Sequence, residues 1–164
     1  NKGAALAHNY LMKATNYSYT DFSQEEYVIN SKFQGDLDKI LYPLARHEEK
    51  EYEYSFSYNY LTEIKDTSDF IINTVNEEKE GSLVMFRDSF GNTLLPFMAE
   101  EYGNGYFSRC IPYRIDYVKT NNADTCIIEI VERNLNTFHL NQQRQNYKII
   151  SRNYIIVYRY IHHK

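Results

Sequence analysis

Residues 83–91, LVMFRDSFG, give the main indication of the fold. Its first four residues form a continuous apolar run, which follows an acidic segment and Gly81. A short uninterrupted run of this kind is typical of a strand buried on both faces, as in a parallel sheet. Apolar residues at helical spacing come next, and Pro96 is tolerated only in the first turn of such a helix. We therefore predict a buried strand, a tight turn, and a helix that begins near residues 89–92.

Two further strands and one helix are predicted downstream of this unit. Residues 107–111 and 125–131 have the composition of strands, and residues 116–121 between them have a helical pattern. Strands that alternate with helices indicate βαβ units with right-handed crossovers. The sequence therefore predicts an α/β fold with a mostly parallel sheet covered by helices.

The first half of the chain predicts two helices, a loop and one strand, and the strand has the clearest period-two pattern in the sequence. A helix is predicted over residues 1–14, a loop over 15–31 and a short helix over 36–41. Residues 51–60 alternate aromatic with polar side chains, which predicts a strand with one aromatic face. That face either covers the core or stacks on sugar rings, and we favour the core.

The composition is that of an ordinary globular domain and excludes several classes of protein. Of the 164 residues, 43% are hydrophobic and 24% are charged, which argues against general disorder. The net charge of −4 argues against a nucleic-acid binder that works through a basic surface. No apolar run approaches the roughly 18 residues that a membrane-spanning helix requires.

The cysteines and histidines do not predict a metal or cofactor site. Cys110 and Cys126 are too few for a disulfide scaffold, and we expect buried free thiols rather than a bridge between them. The five histidines show no metal-ligand spacing with cysteine or acidic residues. We therefore expect neither zinc nor another cofactor.

The last 26 residues differ from the rest of the chain. Residues 139–164 carry five Lys and Arg and no acidic residue, and residues 147–161 are rich in Ile and Tyr. Such a basic, β-prone tail is expected to dock on the acidic body or to pair with a sheet edge. We accordingly divide the chain into an α/β portion, residues 1–138, and a tail of unclear origin, residues 139–164.

Ser89 is the residue that the pattern singles out for chemistry, because it lies between a predicted buried strand and a helix. Ligands of parallel α/β sheets bind at the carboxyl ends of strands, and the free N–H groups of a following helix favour negative charge. The G-x-S-x-G elbow of α/β-hydrolases uses the same physics, but Arg87 stands where that pattern has its first glycine. The competing interpretation is that Asp88 and Ser89 simply cap the helix.

The segment 87–97, in which an Asp-Ser-Phe turn leads into a helix with Leu and Pro, resembles the serine motif of SGNH-hydrolase-like proteins. The resemblance is narrower to their DHHW and alginate O-acetyltransferase-like branch, because three further stretches agree in order. Residues 1–5 resemble the segment that follows that branch's Asp-x-His-Trp motif, residues 35–37 its Gly-Asp-Leu, and residues 124–135 its late strand. Together the four stretches span residues 1 to about 138.

This resemblance implies a three-layer, flavodoxin-like sandwich, incomplete on its N-terminal side, with a Ser-His-Asp site for acyl transfer. Ser89 matches the nucleophile, whose backbone N–H would contribute to the oxyanion hole, and Asp88, Phe90 and Gly91 would support the turn. Arg133 either binds substrate or pairs with a neighbouring glutamate. The Asp and His of the family belong to the Asp-x-His-Trp motif, which would lie just before residue 1. We therefore expect residues 1–164 alone to be inactive or nearly so.

The function that the resemblance implies is that of an esterase or O-acyltransferase on a cell-envelope or exported polysaccharide, located outside the cytoplasm. Its expected partner is a carbohydrate or acyl-ester substrate, and neither nucleic acid nor a membrane-spanning segment is expected. Two alternatives remain open. The same cleft would bind glycan or a partner without catalysis, or the chain is an unrelated α/β domain in which Ser89 is a helix cap.

Overall fold

The computed structural model describes residues 2–15, 18–22, 27–30, 40, 49–52, 54–131 and 154–159. Its helices are α1 (Lys2–Thr15), the 3-10 turn η1 (Phe90–Asn92), α2 (Leu95–Glu101) and α3 (Asp116–Thr120). Its strands are β1 (Tyr27–Asn30), β2 (Glu49–Tyr52), β3 (Asn59–Tyr60), β4 (Ile71–Val75), β5 (Ser82–Phe86), β6 (Asn104–Ser108), β7 (Thr125–Val131) and β8 (Tyr154–Arg159).

The main sheet of the described residues has six strands in the order β3-β4-β6-β5-β7-β8. Strands β6, β5, β7 and β8 are parallel to one another, whereas β4 pairs antiparallel with β6, and β3 pairs antiparallel with β4 at the edge. The parallel part begins with β5, places the next strand on one side of it and the following two on the other. This is the strand order of flavodoxin-like folds. The sheet is therefore mixed, and it is parallel in the middle as predicted.

The parallel strands are buried on both faces, and helices cover each face. Along β5 the side chains alternate, so that Leu83 and Met85 join a core with α1 and α2, while Val84 and Phe86 join a second core with α3. All residues of β7 are buried in the same way. The prediction of buried strands at 83–86 and 125–131 is confirmed, and the described residues form a helix–sheet–helix sandwich.

Helices α1 and α2 lie side by side and run in the same direction. Ala5, near the start of α1, shares an apolar cluster with Phe97, near the start of α2. Further along, the Tyr102 hydroxyl, directly after α2, lies 4.0 Å from the sulfur of Met12. Because α2 leads away from the carboxyl end of β5, both helices begin at the edge of the sheet where that strand ends.

The predicted single strand over residues 51–60 is wrong, although its aromatic face is partly buried as expected. Strand β2 ends at Tyr52, β3 begins at Asn59, and residues 54–58 form no strand. The reason is that the buried carboxylate of Glu100 accepts hydrogen bonds from the backbone N–H groups of Ser57 and Tyr58, at 2.7 and 3.3 Å. Those N–H groups are then unavailable to a strand ladder.

The rings of this segment nevertheless pack inward. Tyr54 and Phe56 lie against Phe22 and Phe97, and the Tyr54 and Phe97 ring centroids are 4.8 Å apart in an edge-on arrangement. The aromatic face therefore covers a core, which is the interpretation that the sequence favoured over sugar stacking.

Three other expectations meet the structure differently. The predicted loop over 15–31 contains strand β1, which pairs antiparallel with β2 in a separate two-stranded sheet, a long-range partner that no local pattern indicates. The strand expected at 107–111 runs instead from Asn104 to Ser108. Its earlier start is not evident from the sequence, because Gly105 stands there and glycine is rare in strands. The helix expected over 36–41 lies almost wholly outside the described residues.

Part of the basic tail is a strand of the main sheet. β8 pairs in parallel with β7 and is the edge strand at the end of the sheet opposite β3, which agrees with the expectation that the tail pairs with a sheet edge. The remainder of residues 139–164 lies outside the described residues, and the division at residue 138 stays a prediction. No helix in the described ranges combines the length and apolar character needed to cross a membrane.

Candidate functional site

Ser89 lies at the rim of the sheet, three residues beyond the end of β5 and directly before η1. Its side chain is exposed and makes no cap hydrogen bond to the turn that it precedes. Its carbonyl accepts a long bond of 3.4 Å from the N–H of Asn92. With the described residues, neither its hydroxyl nor its own N–H is hydrogen-bonded, so both are available to a ligand.

Ser89 follows β5, the strand at which the strand order reverses, because the next strands of the chain are added first on one side of β5 and then on the other. The chain leaves β5 through α2 to reach β6 on one side, and it reaches β7 on the other side through α3 on the opposite face. The carboxyl ends of β5 and β7 are therefore neighbours at the point where the order reverses. In open α/β sheets this is the place where ligands bind.

Asp88 holds the turn in place with both oxygens of its carboxylate. Oδ1 accepts a hydrogen bond of 2.8 Å from the N–H of Phe90, the first residue of η1, and Oδ2 accepts one of 2.7 Å from the N–H of Val131. The first bond, from the N–H two residues along the chain, fixes the start of the turn as an Asx turn does. The second joins the end of β5 to the end of β7, which the sequence did not indicate.

Glu129 is the buried carboxylate of β7, for which the sequence predicts either a partner or a solvated face. Its side chain is buried, and Oε2 accepts a hydrogen bond of 3.1 Å from the N–H of Asp88. This bond to the residue that precedes Ser89 offsets part of the cost of burying the carboxylate. Burial, together with the charges of Asp88 and Glu129, raises the pKa of Tyr113 to about 12.

Arg87 is almost completely buried, with 1% of its surface exposed. Its guanidinium group donates to the side-chain oxygen of Asn92 and, at 2.9 Å, to the backbone carbonyl of Asp69. Burial lowers the pKa of Arg87 to about 10, with a further contribution from Arg109 and opposition from Glu129. The turn therefore differs in structure from a G-x-S-x-G elbow, because the long side chain of Arg87 packs under it where the elbow has a glycine.

Phe90 and Gly91, the other predicted members of the turn, differ in exposure. Phe90 is 37% exposed, whereas Gly91 is buried against Arg87 and Glu129. Arg133 lies outside the described residues, so its role in binding stays a prediction.

Neither cysteine nor the described histidine forms a hydrogen bond with Ser89 in the part of the chain that the structure describes. Both thiols are free, as expected, but only Cys126 is buried, where burial raises its pKa to about 12; Cys110 was expected to be buried and is half-buried, because it lies beyond the end of β6. Within the described residues the only histidine is His8, which is fully buried, with Nε2 3.3 Å from the carboxylate of Glu101. Since Glu101 ends α2, His8 lies away from the edge that carries Ser89. Across the same ranges no group of three His, Cys, Asp or Glu is placed to hold a metal.

The interacting residues beneath the turn, Arg87 and Glu129, were not predicted as a group. The sequence did contain a signal, because two charged residues stand where apolar residues are expected: an arginine directly after a buried apolar run, and a glutamate inside another. Charged residues at such positions are rarely buried without partners. Two such residues at the ends of neighbouring strands indicate a polar cluster.

No family model matches this chain, and no curated protein matches it. Solved structures with a similar fold include a DHHW family protein from Eubacterium siraeum, with 16% identity and a TM-score of 0.57 over 77% of this chain and 54% of that one. Bacillus cereus PatB1 with a sulfonyl adduct gives 16% identity and a TM-score of 0.53 over 77% of this chain and 55% of that one.

A further structure of Bacillus cereus PatB1 gives 15% identity and a TM-score of 0.50, over 77% of this chain and 56% of that one. The chain thus spans little more than half the length of each of these proteins. At this level of identity the likeness shows a shared α/β fold, and that fold is similar to those of a DHHW family protein and of PatB1.

Proposed function

We propose that Ser89 is the nucleophile of an acyl-transfer site in an esterase or O-acyltransferase. The substrate proposed is an ester group of a cell-envelope or exported polysaccharide, and the proposed location is outside the cytoplasm. One observation carries the proposal: an exposed serine, whose hydroxyl and own N–H form no hydrogen bond with the described residues, lies where the strand order of an α/β sheet reverses. The fold shared with a DHHW family protein and with PatB1 supports it.

The chemistry assigned to this serine is nucleophilic substitution at an ester carbonyl. The Ser89 oxygen forms a bond to the carbonyl carbon while a base takes the hydroxyl proton, and the carbonyl oxygen becomes an oxyanion. The N–H of Ser89, which donates to none of the described residues, would stabilise that oxyanion. Collapse releases the alcohol, which takes the proton back, and leaves an acyl-enzyme for water or a second hydroxyl to attack.

The base is the component that residues 1–164 are not expected to supply. His8 is buried against Glu101 and is too far along α1 to serve. In this proposal the base is a histidine outside the described residues, of the kind that the family resemblance assigns to an Asp-x-His-Trp motif. Because α1 begins at the edge of the sheet that carries Ser89, a histidine placed close to the start of this helix would lie near the serine.

A comparison of two polypeptides tests this proposal. Hydrolysis of p-nitrophenyl acetate is measured for residues 1–164 and for the native protein that contains them, each with and without Ser89→Ala. We expect the native protein to lose activity by about 10³-fold or more on Ser89→Ala, because a triad member is removed. The shorter chain should show no turnover above that of its own Ser89→Ala variant.

Two results would contradict the proposal in different ways. Turnover by residues 1–164 that disappears in Ser89→Ala would show that the base is contained in this chain. Unchanged turnover of the native protein after Ser89→Ala would remove Ser89 from catalysis and leave the non-catalytic glycan-binding alternative.

A further inference from the structure

Two charged side chains are buried directly beneath the turn that carries Ser89. Arg87 is 1% exposed and Glu129 is 4% exposed. Removing such groups from water costs several kcal/mol each before their interactions are counted. Natural proteins usually break the rule against buried charge at functional sites and compensate for the cost elsewhere. The burial of Arg87 and Glu129 beneath the serine turn therefore indicates a role for the pair besides packing.

The contacts of Glu129 connect it to both sides of Ser89 without touching that residue. On one side its Oε2 accepts the hydrogen bond from the N–H of Asp88, at 3.1 Å. On the other, a methyl group added to Gly91 would lie 2.9 Å from the same oxygen, which shows how closely the turn rests on the carboxylate. The carboxylate is therefore placed between the residue before the serine and the second residue after it.

Arg87 fastens the same turn to its surroundings. Its guanidinium group bonds to Asn92 at the end of η1 and to the carbonyl of Asp69, while its own N–H donates to Ser108 of β6 at 2.9 Å. The charge of Glu129 also favours the charged form of Arg87. The turn is thus held to β6 by Arg87 and to β7 by Glu129.

We infer that Glu129 is a positioning residue, whose contact with the N–H of Asp88 sets the backbone of Ser89 so that its hydroxyl and N–H face the substrate. This inference rests on the proposed function of Ser89. Glu129 touches no reacting atom in it and acts through the turn. A displacement of the reacting groups of about 1 Å can lower a rate by about a hundredfold, so such a contact matters to the chemistry.

The experiment separates contact from charge with two substitutions of Glu129 in the native protein. Glu129→Gln removes the charge but keeps a carbonyl oxygen that can accept from Asp88. Glu129→Asp keeps the charge but withdraws the oxygen by one methylene. The readout is the rate at which phenylmethanesulfonyl fluoride modifies Ser89, followed by mass spectrometry. We expect Glu129→Gln to stay within about threefold of the wild type and Glu129→Asp to be slower by about tenfold to a hundredfold.

A matched control is provided by Glu100, another buried glutamate that accepts a backbone hydrogen bond, from Ser57. It lies on α2, away from the serine turn. Glu100→Gln and Glu100→Asp should leave the rate of Ser89 modification unchanged, even where they lower the melting temperature. If the Glu100 variants slow the modification as much as Glu129→Asp does, the effect is general destabilisation and the inference is wrong.

A second measurement does not depend on the reactivity of the serine. Amide hydrogen exchange, resolved by NMR on residues 1–164, should be faster at Asp88 in Glu129→Asp than in the wild type, and unaffected in Glu100→Asp. Unchanged exchange at Asp88 overturns the positioning role. If wild-type Ser89 is never modified while Asp88 exchange responds as expected, the proposed nucleophile fails and the contact that fixes the turn stands.

Discussion

Gly91 is the residue of the serine turn that leaves no room for a side chain. A Cβ atom built there would lie 2.7 Å from the Cβ of Arg87 and 2.9 Å from a carboxylate oxygen of Glu129. Neither neighbour is free to move, because each is fixed in the buried cluster. The requirement for glycine here is thus steric and comes from the two charged residues below the turn.

We expect Gly91→Ala to lower the free energy of unfolding by about 1–3 kcal/mol, as overpacking of a close-packed interior does. It should also slow the sulfonylation of Ser89 in the native protein, because the added methyl displaces the turn. Urea denaturation measures the first effect and mass spectrometry the second.

Gly3 is the control for this substitution, because it is an exposed residue of α1. Gly3→Ala should be neutral or should stabilise the protein by up to about 1 kcal/mol, since alanine favours a helix over glycine. If Gly91→Ala behaves like Gly3→Ala in both assays, the turn has room for a side chain and the steric requirement for glycine is wrong.

At the scale of elements, the C-terminal end of α2 anchors two segments that have little regular structure. Glu100 accepts hydrogen bonds from residues 57 and 58, and Glu101 accepts one of 2.9 Å from the N–H of Thr20. The carboxylate of Glu101 also lies 3.3 Å from Nε2 of His8 and 3.4 Å from Nζ of Lys79. A short helix thereby holds α1 and two loops against the sheet.

The pKa of Glu101 makes this anchor sensitive to acid. Burial raises its pKa, but the contact with His8, the hydrogen bond from the N–H of Thr20 and the charge of Lys79 outweigh burial and lower the pKa below its ordinary value. A carboxyl whose pKa is lower in the folded state stabilises the fold above its unfolded-state pKa of about 4.3. That contribution is lost as the pH falls through the lower, folded-state value.

We therefore expect Glu101→Gln to destabilise the protein by about 1.5–3 kcal/mol near pH 7, the range for hydrogen bonds to charged groups. The difference from the wild type should shrink as the pH falls from about 6 to about 3. Urea denaturation across this range measures it. A difference that stays constant or grows in acid would show that the charge of Glu101 contributes nothing to the anchor.

Which elements the sequence predicts depends on whether their causes are local. The strands at 83–86 and 125–131 were predicted because a strand that is buried on both faces has a continuous apolar sequence. The interruption at residues 54–58 was missed because its cause is Glu100, more than forty positions away, which takes two of the N–H groups that a strand would use. Strand β1 was missed for the same reason, since its partner β2 is distant in sequence.

Across the whole molecule, the features of the site also differ in whether their causes are local in sequence. The position of Ser89 followed from a buried strand before it and a helix after it, which are local patterns. The connection of Asp88 to Val131 and Glu129 did not, because it requires β5 and β7 to be adjacent. Their adjacency is a property of strand order, and strand order is set by the packing of α2 and α3 on opposite faces.

Strand β7 lies inside the sheet, between β5 and β8, and the reactivity of its Cys126 tests whether the whole fold opens at once. This thiol is buried between the sheet and α3, and burial raises its pKa to about 12. Because the thiolate is the reactive form, Cys126 should resist thiol reagents in the folded protein. In a Cys110→Ser variant, which leaves Cys126 as the single thiol, we expect modification by a disulfide reagent at pH 8 to require global unfolding. Its rate should rise with urea in parallel with the unfolded fraction from circular dichroism. Fast modification without urea would instead show that α3 opens while the sheet stays folded.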